Sequence, residues 1–101
     1  MKIIWSTSAK EDLHEIYTYY KVVASVKIAK SIISNIYSKT RALIKHSKIG
    51  KIEENENVSG RGYRFLISDN YKIIYQIVDS KSIRIAAIFD CRQNPDKMLN
   101  K

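Results

Sequence analysis

GYRFLISDNYKIIYQIVD, residues 62–79, decides how this chain is read. Side chains on a strand alternate between its two faces. Tyr63, Phe65 and Ile67 alternate with Arg64, Leu66 and Ser68, so residues 62–68 read as a strand. Asp69-Asn70 is a tight-turn signal. Beyond it, Tyr71, Ile73, Tyr75 and Ile77 share one face, and Lys72, Ile74, Gln76 and Val78 the other. Ser80-Lys81 then leads into SIRIAAIF, residues 82–89, where Ile83, Ile85, Ala87 and Phe89 oppose Arg84, Ala86 and Ile88. Three strands joined by short turns predict an antiparallel meander. Its aromatic-rich rows are expected on one core-facing side.

Towards the N-terminus the period changes from two to that of a helix. KIIW, residues 2–5, reads as a short strand. Ser8 stands three before Glu11, a capping-box pattern with Asp12 in the first turn. Ala9, Leu13, Ile16, Tyr17 and Tyr20 follow at helical spacing. The helix fades over Lys21 to Ala24, and Ser25 is placed to cap a second one. Ala29, Ile32, Ile33, Ile36, Tyr37, Thr40, Leu43 and Ile44 form one long apolar stripe, with Lys27, Lys30, Lys39 and Arg41 mostly off it. The short break predicts an antiparallel helical hairpin over about residues 8–46. Residues 51–60, KIEENENVSG, read as an exposed connection with room for a short strand of its own. Asn94-Pro95 is a cap and first-position pair, so NPDKMLN predicts a short C-terminal helix. The expected class is α+β, with the hairpin as one layer and the meander, joined in one sheet by the first strand, as the other.

The totals bound the function. A chain of 101 residues suits one domain, 1–101, without a disulfide or metal staple. One cysteine, Cys91, fits a reducing compartment. The start turns polar after Trp5 and no apolar run approaches a membrane span, so a soluble, cytoplasmic protein without membrane partners is expected. The net charge of +8 by itself predicts affinity for something acidic: nucleic acid, an acidic partner or an anionic membrane surface. No Gly-rich phosphate loop or metal spacing is present, and neither metal nor cofactor is expected. Cys91 is expected to pack as a small hydrophobe at a strand end, with a Cys–His nucleophile pair as the alternative. His46 suits a helix C-terminus.

The candidate site is basic. Arg64, Lys72 and Arg84 occupy one phase of three neighbouring strands, Arg92 follows the last strand, and Arg61 precedes the first. If the aromatic rows pack on the helices, these cations share the open side of the sheet, with Leu66, Ile74 and Ile88 between them. Such a face suits a phosphate chain or an acidic amphipathic peptide. It is also what an ordinary solvated sheet face looks like.

STSAKEDLHEIYTYY (6–20), IGKI (49–52), GYRFLISDNYKIIYQI (62–77) and IAAIFDCRQNP (85–95) together resemble the RelE/ParE toxin superfamily, in order and over nearly the whole chain. The resemblance implies a compact α+β toxin of a type II toxin–antitoxin module, of the growth-inhibiting, plasmid-stabilizing kind, neutralised by a cognate antitoxin. RelE-like members cut messenger RNA on the ribosome without a metal; ParE-like members block DNA gyrase. By position, Arg64, Lys72 and Arg92 match charged residues of the RelE site, which would make them catalytic in a ribonuclease. Leu66 stands where that site has a second lysine, and Met98 where a C-terminal tyrosine is expected. Asp90, Asp96 and His46 are the groups left to stand in as a general base. The long hairpin resembles the ParE branch, while RQNP after the last strand is closer to RelE-like sequences. The expectation is a gyrase-directed toxin, with a ribosome-dependent endoribonuclease as the alternative and a basic binding module that has lost toxicity as a third reading.

Overall fold

The computed structural model describes residues 1–55 and 61–94. The chain runs through strand β1 (Lys2–Trp5), helices α1 (Thr7–Val23) and α2 (Val26–Arg41), a one-turn 3-10 helix (Ala42–Ile44), and strands β2 (Lys51–Ile52), β3 (Tyr63–Ser68), β4 (Tyr71–Ile77) and β5 (Ser82–Asp90). The strands form one mixed sheet in the order β1-β5-β4-β3-β2. Only β1 runs parallel to its neighbour, pairing Ile3 with Ile83 and Trp5 with Ile85. The expected α+β architecture is therefore present, and the connection does contribute the short strand β2. The expected C-terminal helix lies outside the described residues.

The cap of α1 lies two residues before the expected one. Ser6, not Ser8, is the N-cap: its hydroxyl accepts from the Ala9 N–H at 3.0 Å and donates to the Ala86 carbonyl at 2.9 Å. One side chain thus closes the helix start and ties it to β5. Ser25 caps α2 as expected, accepting from the Ile28 N–H at 3.1 Å. The two helices fold back as a hairpin and, with the 3-10 turn after them, lay Leu13, Ile16, Ile36 and Leu43 on Ile73, Tyr75, Ile83 and Ile85 of the sheet.

The strand phases differ from expectation in two places. The two-residue turn Asp69-Asn70 pairs Ser68 with Tyr71, so even positions of β3 share a face with odd positions of β4. Leu66 therefore packs with Ile73 against the helices, while Phe65 and Tyr63 lie with Ile74 on the far side. In β5 the register slips between Ile74 and Tyr75, which pair with Ala87 and Ile85. Ala86 is the extra residue, a β-bulge. Beyond it the phase reverses: Ile88 joins the helix-side core, and Phe89 joins Ile74 and Ala86 in a small second cluster on the far side. Both faces of the sheet carry buried apolar side chains, and the simple two-layer expectation gives way to a main core with a satellite.

Beyond Trp5, β5 outruns β1, and α1 takes over its free edge. The Ser6 N–H donates to the Ile85 carbonyl at 3.0 Å, and Asp12, 6% exposed, accepts from the Ile88 N–H at 2.9 Å. Unpaired edge groups that are buried need such partners. Among the described residues no helix is long and apolar enough to cross a membrane.

Candidate functional site

The register separates the five basic candidates. Lys72 and Arg84 stand on the far face, Lys72 opposite Ile67 and Phe89, and Arg84 between Ile4 and Gln76. Arg64 pairs with Tyr75 and stands on the helix side. Arg92 lies past β5 at a cleft against α1. Arg61 is exposed in the turn before β3, where its carbonyl accepts from the Gln76 amide at 2.7 Å. The expected single open face of cations is not formed. Of the residues expected between them, Ile74 is on Lys72's face, whereas Leu66 and Ile88 face the helices.

Three of these cations are tied into the fold. The Arg64 guanidinium donates to the Gly50 carbonyl at 2.9 Å and to the Lys48 carbonyl at 3.4 Å. Next to it the Tyr75 hydroxyl donates to the Ser47 carbonyl at 2.8 Å and accepts from the Gly50 N–H at 2.9 Å. Gly50 is required at this crossing, because a Cβ there would stand 2.6 Å from the Tyr75 hydroxyl and 2.7 Å from the Phe65 carbonyl. Burial pushes the Tyr75 phenol up, so it stays a neutral donor. Arg64 and Tyr75 together fasten the loop that follows the helices.

Lys72 reaches the Glu53 carboxylate at 2.9 Å and lies over the Phe65 ring, 4.4 Å from its centroid. Glu53 is only 5% exposed and also accepts from the Asn55 N–H at 3.0 Å. An acid from the connection after β2 already occupies Lys72, one of the two cations of the far face.

Arg92 forms a fork with Asp90. Its Nε and Nη2 donate to the two carboxylate oxygens at 3.0 and 2.8 Å, and its backbone N–H donates to one of them at 2.9 Å. These bonds hold Asp90 below the usual carboxylate range and raise the already high value of Arg92. The nearby Tyr20 phenol adds to the rise of Arg92. Tyr71 is pushed up, first by burial and then by its interaction with Tyr20. The cleft beside this cluster measures about 580 Å³ and is lined from α1 by Asp12, Glu15, Ile16 and Tyr19. Asp90 is ionised and tied, and Tyr71 is protonated. Neither is poised for proton transfer at neutral pH. Tyr20 and Tyr71 escaped the sequence reading because both sit on apolar stripes, where a core role is the default; the Asp90-x-Arg92 spacing was their only signal.

The remaining chemistry-bearing residues are peripheral. Cys91 is exposed rather than packed, because it falls in the turn past β5, where its N–H donates to the Asn70 carbonyl at 2.7 Å. His14 and His46 are both exposed. Asp96 and Met98 lie outside the described residues.

No curated protein matches the chain. Among solved structures, a chain of the chromosomal ParDE toxin–antitoxin system from P. aeruginosa superposes with a TM-score of 0.74 at 23% identity, covering 89% of this chain and 95% of that one. At that identity the likeness speaks for the fold, including the long helical pair over a mixed sheet. The family described as ParE toxin of type II toxin-antitoxin system, parDE, matches residues 3–95. A match over nearly the whole chain, on this fold, places the protein in the ParE toxin family of type II toxin–antitoxin systems.

Proposed function

We propose that this chain inhibits growth by acting on DNA gyrase, without cutting RNA, and that a cognate antitoxin holds it in check. One observation carries the choice of target: the cations that a ribonuclease would need are dispersed and engaged within the fold. Arg64 stands on the helix side and fastens a loop, Lys72 is paired with Glu53, and Arg92 with Asp90. Cleavage by a 2′-hydroxyl needs a base and an acid beside the charge stabilisers. The carboxylate nearest to Arg92 is held too acidic for either role. Inhibition by protein contact makes no such demand.

The test pairs two assays on the purified chain. Gyrase supercoiling of relaxed plasmid should fall as the protein is added, and messenger RNA in a translation reaction should stay intact by primer extension. Codon-phased, ribosome-dependent cuts that vanish in Arg92→Ala would overturn the proposal and establish the ribonuclease reading instead. That alternative draws on Arg92 alone, which is 56% exposed at the mouth of the cleft. Co-expression with the product of an adjacent gene should give a stable complex and relieve the inhibition of growth.

A further inference from the structure

The net charge of this protein is localised. Between Ile16 and Ile52 there is no Asp or Glu, but there are eight Lys and Arg: Lys21, Lys27, Lys30, Lys39, Arg41, Lys45, Lys48 and Lys51. The whole chain has 18 basic and 10 acidic residues, so the other ten basic residues are balanced by all ten acids. The entire +8 therefore falls between the end of α1 and β2, with four of the eight cations, Lys27, Lys30, Lys39 and Arg41, on α2 itself. A solvated helix ordinarily mixes both signs, because like charges three or four positions apart repel. α2 does the reverse. It has no acid in its first turn, and Lys27 and Lys30 sit near its N-terminus, where the helix dipole disfavours cations. The two ion pairs seen among the described residues, Lys72–Glu53 and Arg92–Asp90, both lie elsewhere.

We infer that the solvent face of α2 binds the phosphate backbone of duplex DNA, directly and without regard to sequence. Lys27, Lys30, Ser34, Ser38 and Arg41 follow one another at three- and four-residue steps on this exposed face. Lys30 and Arg41 lie about 16 Å apart along the axis at 1.5 Å per residue. That separation is of the order of the major-groove width, about 12 Å. Between the helices, Tyr17, Lys30, Ser34, Tyr37 and Arg41 line a groove of about 350 Å³. Arg41 now rests on the Ser38 hydroxyl at 2.9 Å, an exposed bond that a phosphate can replace.

The residues between the cations choose among polyanions. From Lys30 to Arg41 the exposed row holds Ser31, Ser34, Asn35 and Ser38, hydroxyls and an amide that serve phosphate oxygens. An acidic amphipathic peptide would need apolar anchors along that row, whereas the exposed Val26 and Ile28 lie in the first turn of α2 and Ile33 is half-buried in the groove. Single strands need free aromatic platforms. The exposed aromatic here, Tyr37, is already engaged with Trp5 at 5.1 Å between centroids.

Fluorescence anisotropy of a labelled duplex of mixed sequence, with the full chain and no gyrase, tests this. Four phosphate contacts predict a log–log salt slope of about −3.6, so affinity should fall roughly a hundredfold from 50 to 200 mM salt. Lys30→Ala and Arg41→Ala should each weaken binding several-fold and make the slope shallower by about 1. Lys81→Ala, in the β4–β5 turn, should change little. Melting curves identify any variant that unfolds, and Lys27→Gln with Lys30→Gln is the substitute pair. Absence of binding at 50 mM salt would overturn the inference. So would indifference to the α2 substitutions, or stronger competition from single-stranded DNA, double-stranded RNA or an acidic peptide. Because gyrase is absent, failure here leaves the gyrase proposal standing, and failure in the supercoiling assay leaves this one.

Discussion

Asp12 shows how a residue's role is set by partners far along the chain. In sequence it reads as a first-turn acid complementing the helix dipole. In the structure α1 starts earlier, and the carboxylate turns inward to accept from the Ile88 N–H, a bond spanning 76 positions. Asp12→Ala leaves that donor buried and unpaired, which costs about 1–3 kcal/mol. For a domain of this size the melting temperature should drop by roughly 4–8 °C per kcal/mol. Asp12→Asn keeps an acceptor oxygen and should recover part of the loss. Thermal melts of the three proteins check this, and equal midpoints would refute it. On local grounds Ser8, with Glu11 three residues on, is the better cap. What selects Ser6 is its second bond, to the Ala86 carbonyl 80 positions away, and no local pattern announces it.

At the scale of the elements, periodicity located the three meander strands and both helices, but not which strand faces meet. A two-residue turn joining positions 68 and 71 must pair even with odd positions, so the far-side placement of Phe65 was legible from the turn length. Matching aromatic row to aromatic row was the wrong criterion, because this sheet buries side chains on both faces. The bulge in β5 was not legible in the same way. IAAIF alternates acceptably with or without a slip, and two small alanines merely permit one. The bulge is what sends Ile88 to the main core and Phe89 to the satellite. Deleting Ala86 removes only the extra residue, so Ile88 should stay opposite Ile73 and Phe89 opposite Lys72, while β5 straightens and Ser6 loses the carbonyl it bonds. We expect a cooperative melt at a lower temperature, with dispersed amide resonances kept. Ala86→Gly keeps the register and should cost only about 1 kcal/mol, with both readouts preserved. A deletion variant that melts like the parent would show that the bulge is dispensable. The expected shared face of cations was lost to the same error, since a phase misjudged in β3 put Arg64 on the wrong side.

For the whole molecule, the controlling feature is the parallel pairing of β1 with β5, which brings Lys2 beside Ser82. Pairings this distant in sequence slow folding, because the loop must close before any contact compensates. Trp5, the only tryptophan, ends β1 and packs on Tyr37 of α2, so its fluorescence reports that closure. Stopped-flow refolding should give a Trp5 signal in the millisecond-to-second range that coincides with the far-ultraviolet circular dichroism change. A Trp5 phase completed well before the sheet signal would separate the two events and contradict this. The same pairing orders events at birth. Chains are made at about 5–20 residues per second, so β1 waits roughly 4–16 s for the strand that will hold it. Both helices emerge during that interval, with their sheet-facing stripe still uncovered. A newborn copy is thus fully written in its helical half yet has no finished surface to present, and the last strand of the sheet acts as the timer that turns the polypeptide into an agent.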